Sequence, residues 1–101
     1  MLFRSCYGPS PSDPARCYRA QAILRQGKVS GQWPGRDAGV TMYLAGDVST
    51  SGNVTIHMHG ERGDGSRLAV GDLVGSLREG RLDAAGRFLN GRSITLNWRR
   101  N

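Results

Sequence analysis

Between Val40 and Trp98 the chain alternates apolar and polar residues in short runs, and a glycine-bearing turn closes each run. Val40-Thr41-Met42-Tyr43-Leu44 precedes Ser51-Gly52-Asn53, and Val54-Thr55-Ile56-His57-Met58 precedes Gly63-Asp64-Gly65. Leu68-Ala69-Val70 follows that turn. Glu79-Gly80-Arg81 leads into Leu82-Asp83-Ala84, and Asn90-Gly91-Arg92 opens Ile94-Thr95-Leu96-Asn97-Trp98. A period of two sends alternate side chains to opposite faces of a strand, so each run can bury one face. Short strands joined by tight turns pair with their neighbours in the chain, which is an antiparallel meander. The pattern sets an all-β architecture and leaves the chemistry open.

A chain of 101 residues supports one domain with a modest core. Residues 1–16 read as an irregular N-terminal arm, and residues 17–101 as a single β-meander domain. Cys17 to Leu24 make the first strand, with Ala20, Ala22 and Leu24 on one face. Gln26-Gly27-Lys28 turns it into a second strand carrying Val29, Gly31 and Trp33. The inward set continues with Val40, Met42, Leu44, Val48, Val54, Ile56 and Met58. Parity changes between Val70 and Leu73, which calls for an inserted residue, and Gly71-Asp72 is the natural bulge. Gly-x-hydrophobic units at Gly27, Gly46, Gly71 and Gly80 read as turn-to-strand transitions. Ala84 to Leu89 reads as strand rather than helix because glycines flank it. About seven strands in all then bend into a small barrel or sandwich, a closure that hides exposed edges.

The net charge of +6 comes from thirteen arginines and Lys28 against eight acids. Guanidinium forks suit carboxylates and phosphates, so the partners of such a chain are anionic. Arginine-rich, lysine-poor usage also follows from GC-rich coding, and the basic residues are spread along the chain. Loops between strands usually carry recognition, which nominates Arg36, Arg62, Arg67 and Arg92 as ligand contacts. No apolar run approaches the ~20 residues of a membrane-spanning helix.

Cys6 and Cys17 flank a proline-rich stretch, Gly8 to Pro14, that cannot be helix or central strand. A disulfide between them would tie the arm to the first strand and contribute about 3 kcal/mol by restricting the unfolded chain. Two free thiols are the alternative. Two thiolates with no further Cys or nearby His do not complete a metal site. A disulfide implies an oxidising compartment, so the chain is read as periplasmic or secreted, in a mature form without its signal peptide.

Candidate catalytic and metal constellations are thin. His57, His59 and Glu61 share one strand face, enough donors for zinc, yet the pattern also describes an ordinary solvated face. Asp47-Val48-Ser49-Thr50-Ser51-Gly52 resembles the Asp-x-Ser-x-x-Gly element of PilZ domains, which bind a cyclic dinucleotide. The accompanying Arg-x-x-x-Arg segment is missing, and the same residues suit a hairpin loop. Arg62-Gly63-Asp64 spells an adhesion tripeptide made of ordinary turn formers. No local spacing suggests a Cys–His or Ser–His–acid set, so the chain is read as non-enzymatic, with no cofactor.

Gly31-Gln32-Trp33 is similar to the Gly-x-Trp opening of avidin-like and lipocalin-like ligand barrels. Barrel closure is expected to bring Trp33 near Trp98, both in the core. Across residues 6–100 the Cys-flanked arm, the glycine-closed runs and the ending Gly91 to Arg100 resemble small exported bacterial all-β domains of unassigned function. That resemblance implies fold and compartment. The resulting expectation is a non-enzymatic exported binding module for an anionic ligand or envelope component, such as a cell-surface glycan. The alternatives are a cytosolic nucleic-acid-binding small β-barrel, or a structural or inhibitory protein-binding domain. Intact mass of the native protein after thiol blocking tests the compartment: two alkyl groups should add only after reduction. Immediate reaction of both thiols would move the protein to a reducing compartment.

Overall fold

The computed structural model describes residues 2–11, 13–35 and 37–99, and these form nine strands and no helix. They are β1 (Leu2–Tyr7), β2 (Arg16–Gln21), β3 (Ile23–Arg25), β4 (Lys28–Pro34), β5 (Val40–Val48), β6 (Asn53–Arg62), β7 (Arg67–Arg78), β8 (Arg81–Phe88) and β9 (Ser93–Arg99). All pairings are antiparallel, in the order β2-β1-β9-β8-β7-β6-β5-β4-β3. The two outer strands of that order, β2 and β3, are separated by Ala22 alone. One bent stretch of chain therefore supplies both edges, and the sheet is nearly closed into a barrel. The all-β meander is as the alternation implies.

The closure uses a strand the sequence pattern assigns to an irregular arm. Leu2–Tyr7 alternates between exposed and buried residues and is held on both sides. Cys6 lies opposite Cys17 on β2 and opposite Thr95 on β9. Cys6 and Cys17 are disulfide-bonded across β1 and β2. Where β4 meets the bend, Gly31 leaves no room for a side chain: a Cβ there would lie 2.7 Å from the Gln21 carbonyl oxygen and 3.2 Å from Ala22 Cα.

Fifteen buried apolar side chains fill the interior, among them Phe3, Leu44, Val54, Ile56, Met58, Leu73, Ile94 and Leu96. Full burial of an aliphatic side chain of this size contributes about 1.5–3 kcal/mol. Of the expected inward set, Val40 and Val48 are half-buried and pack against this core. The parity change in β7 is real but falls earlier than Gly71-Asp72. Met58 pairs with Gly71 while Gly60 pairs with Leu68, so the extra residue lies at Ala69–Val70. Ala69 carries the bend with φ of 49°. Gly46 and Gly71 lie inside strands, whereas Gly27 and Gly80 complete two-residue turns with Gln26 and Glu79. Both residues of each turn have positive φ, the geometry that matches strand twist. The two tryptophans do not meet. Trp33, near the end of β4, packs on Phe3 at 5.9 Å, and Trp98 sits opposite Leu82 at the other end of the barrel.

β7 and β8 cross unusually closely. A Cβ at Gly75 would lie 1.8 Å from the Asp83 carbonyl oxygen and 2.6 Å from Ala84 Cα, both backbone atoms that cannot yield cheaply. Gly75→Val should therefore cost about 3 kcal/mol or more in urea unfolding. Gly63→Ala, where a Cβ meets nothing within 4 Å, should stay within about 0.5 kcal/mol. Similar midpoints for the two variants would contradict the close crossing.

Candidate functional site: the aromatic mouth of the barrel

Strand direction gathers four connections at one end of the barrel: β1–β2, β4–β5, β6–β7 and β8–β9. The opposite end carries the short turns at 26–27, 49–52 and 79–80. At the first end the inward positions are aromatic. Phe88 meets Tyr7 edge-on at 5.0 Å, Tyr7 meets Tyr18 at 5.2 Å, and Tyr18 lies 6.1 Å from Trp33. Phe3 extends the series below Trp33. Five of the seven aromatic residues thus form one continuous series across β8, β1, β2 and β4.

Four of these rings, Tyr7, Tyr18, Trp33 and Phe88, wall a cavity of about 660 Å³ that opens at the mouth, with Val40, Met42, Leu68 and Ala69 on its apolar side. The volume falls within the range of small-ligand sites. Three guanidinium groups line it, Arg16 and Arg92 from the inward face and Arg19 from the outward face of β2, with the carboxylates of Asp13 and Asp37 and the amide of Asn90.

The two inward arginines play different parts. Arg92 is 12% exposed and fully engaged: Nε donates to the Gly8 carbonyl at 2.6 Å and Nη2 to the Pro14 carbonyl at 3.0 Å. Nη1 lies 3.7 Å from Asp13 Oδ2, and the guanidinium covers the Tyr7 ring at 5.5 Å. Arg92 is a clasp that fastens the β1–β2 connection over the mouth. Arg16 touches Asp13 only at 3.5 Å, and its buried Nε has no hydrogen-bond partner. An orphaned N–H on a cation is costly unless something else accepts from it.

Tyr7 and Tyr18 bring their hydroxyl oxygens together. Burial, reinforced by the neighbouring Tyr18, pushes the Tyr7 phenol far above its ordinary value, against the opposing pull of Arg92.

Of the arginines nominated by loop position, Arg92 lies in the cavity wall. Arg62 and Arg67 flank the β6–β7 turn at the same end, both exposed and outside the cavity lining. Arg62 donates to Ser66 Oγ at 3.3 Å. Arg36 lies outside the described residues. Arg16, Tyr7 and Tyr18 were not singled out, although a signal existed. A bridge between opposed strands puts Cys6 and Cys17 on one face, which obliges Tyr7, Arg16 and Tyr18 to share the other.

The other constellations resolve differently. His57 and His59 face outward, with ring centroids 5.5 Å apart. His57 Nδ1 lies 3.0 Å from Asp72 Oδ1, whereas His59 is stacked on Tyr43 at 5.3 Å and only 14% exposed. That strand face is packed rather than wholly solvated. Among the described residues no group of three His, Cys, Asp or Glu is placed to hold a metal ion. Asp47 pairs with Lys28, and Ser49 Oγ accepts from the Asn53 N–H at 3.0 Å, so this segment serves its hairpin. Asp64 accepts from the Ser66 N–H at 2.9 Å, and hydrogen bonds from Ser66 hold its carboxyl below the ordinary range.

No family model, no curated protein and no solved structure matches this chain. No helix long and apolar enough to cross a membrane occurs among the described residues. Fold and site together describe a small antiparallel barrel with an aromatic, arginine-bearing mouth.

Tyr7 offers a direct check on the mouth. Its folded pKa is raised above the unfolded value of 10.0, so its stabilising contribution is complete below that pH and is lost as pH rises above it. Ultraviolet titration of tyrosinate should show Tyr7 staying protonated well above pH 10.0 until the barrel unfolds, and Tyr7→Phe should remove that late step. A Tyr7 phenol that ionises near pH 10.0 in the folded protein would show instead that the mouth is open to water.

Proposed function

We propose that this chain is a non-enzymatic exported binding module that takes an anionic ligand, an acidic glycan fragment, at the barrel mouth. The observation that carries the reading is Arg16. Arg16, whose buried Nε has no hydrogen-bond partner, lines a cavity of about 660 Å³ together with four aromatic rings, Tyr7, Tyr18, Trp33 and Phe88. Ring faces complement the apolar faces of a pyranose, and a guanidinium takes a carboxylate through charge-assisted hydrogen bonds. The reading as a binder is supported by the character of the central groups, since guanidinium is a fixed donor and burial holds the Tyr7 phenol protonated. The Cys6–Cys17 bridge supports export, because such bonds persist in oxidising compartments.

Trp33 stands in the cavity wall, so its fluorescence reports occupancy. Titration with oligogalacturonate should give saturable quenching that a neutral oligosaccharide of equal length does not reproduce. Arg16→Gln should weaken binding about tenfold or more, since a hydrogen bond to a charged group is worth about 1.5–3 kcal/mol. Arg62→Ala/Arg67→Ala should change affinity less than about threefold and only at low salt, as expected of exposed rim charges. Equal affinity for neutral and acidic sugars, or an Arg16→Gln protein that binds like the parent, would overturn the assignment.

A further inference from the structure

The outer wall carries a feature that adjoins the mouth only at Arg19. On the outward face Arg4 lies directly opposite Arg19, Arg78 opposite Arg81, and Arg81 opposite Arg99. These five exposed arginines occupy five adjacent strands, β2, β1, β9, β8 and β7. Arg78, Arg81 and Arg99 lie at the end of the barrel away from the mouth, and Arg4 and Arg19 midway along it, with Arg19 also bordering the mouth cavity. Directly opposed like charges destabilise a sheet, and three such contacts recur here. Compensation within the patch is slight. Asp83 accepts from Arg81 Nε at 2.5 Å and from Asn97 Nδ2 at 2.6 Å, and Glu79 occupies the adjoining turn. On the opposite wall, by contrast, Lys28 pairs with Asp47, His57 lies against Asp72, and His59 lies near Glu61.

We infer that this wall is a docking surface for an anionic phospholipid bilayer. Clustered guanidinium groups match a plane of headgroup phosphates, each taken by two parallel N–H donors. The wall is convex and its outward residues include no aromatic ring, so it offers no platform for stacked bases and cannot enclose a strand. Apolar residues stand where a membrane would receive them. Leu2 shares the outward face of β1 with Arg4 and is 55% exposed, and Ile23 at the same end is 65% exposed. A basic face edged by exposed aliphatic side chains is the make-up of a surface that lies on a bilayer.

Co-sedimentation of the full chain with phosphatidylcholine vesicles, with and without about one third phosphatidylglycerol, tests this. Binding should require the anionic lipid and fall with added salt. Each arginine near the surface is worth about a fivefold change, so Arg78→Gln/Arg99→Gln should weaken binding roughly 25-fold. Arg62→Gln/Arg67→Gln removes the same charge at the mouth end and should weaken it less than about threefold. The wall variant should melt no lower than the parent, because it relieves opposed charges, and its oligogalacturonate titration should be unchanged. Equal losses in the two double variants would reduce the effect to bulk charge and overturn the inference. So would indifference to phosphatidylglycerol, or full displacement from the vesicles by duplex DNA at matched phosphate concentration.

Discussion

The bend at Ala22 is the constraint on which the molecule depends. A meander of this length leaves two raw edges, each a row of unpaired peptide groups open to another chain. Here both edges belong to one stretch of backbone: β2 pairs with β1, β3 pairs with β4, and the buried Ala22 lies between. β1 then meets β9 and the ring is nearly complete. Closure demands close backbone approach at the seam, which Gly31 permits, and small interior residues such as Ala20 and Ala22 beside it. A bulky residue at position 31 would press on the Gln21 carbonyl and pull the seam apart.

Closure also makes the mouth. Tyr7 and Tyr18 meet only because β1 is registered against β2, with Cys6 opposite Cys17. The disulfide fixes that register from the outer face while the phenols meet on the inner one. Arg92 then reaches from the β8–β9 connection to the carbonyls of Gly8 and Pro14, joining segments far apart in the chain. A proline-rich stretch has few N–H groups with which to satisfy its own carbonyls. A guanidinium with five donors is suited to that task, which accounts for a nearly buried charge at a protein surface.

Alternation and turn chemistry made β4 to β9 legible, since each strand lies between turn residues that the fold uses as turns. β1 was hidden for a physical reason. Leu2 to Tyr7 alternates as well as any later strand, but the proline-rich Gly8–Pro14 stretch follows it, and its second partner, β9, is the last strand described. Long-range pairing leaves no local mark. The bulge was legible in existence but not in place, because an alanine at positive φ carries none of the signal that Gly71 does. The mouth was partly legible. Arg92 was reachable from its loop, but Arg16 and Tyr18 required knowing that the arm is a strand and that its bridge faces outward.

Register turns a merely basic composition into distinct surfaces. Thirteen arginines scattered along a sequence carry no address. Once the strands are aligned, Arg16 and Arg92 fall inside the mouth, Arg4, Arg78, Arg81 and Arg99 fall together on the outer wall, and Arg19 stands where the two adjoin. Arg92 is nearly buried and little screened, and each of its nitrogens has an oxygen partner, whereas Arg16 is about a third exposed with its Nε shut away from water. The wall group stands in water, where each charge is weak and screened and only a surface that meets several at once gains appreciably. The barrel separates the two groups by side-chain alternation: β1 and β8 turn their aromatic rings inward and their arginines outward, and β2 turns Arg16 and Tyr18 inward and Arg19 outward. Under the roles proposed for them, a small ligand in the mouth and a broad anionic surface on the wall could be held at the same time.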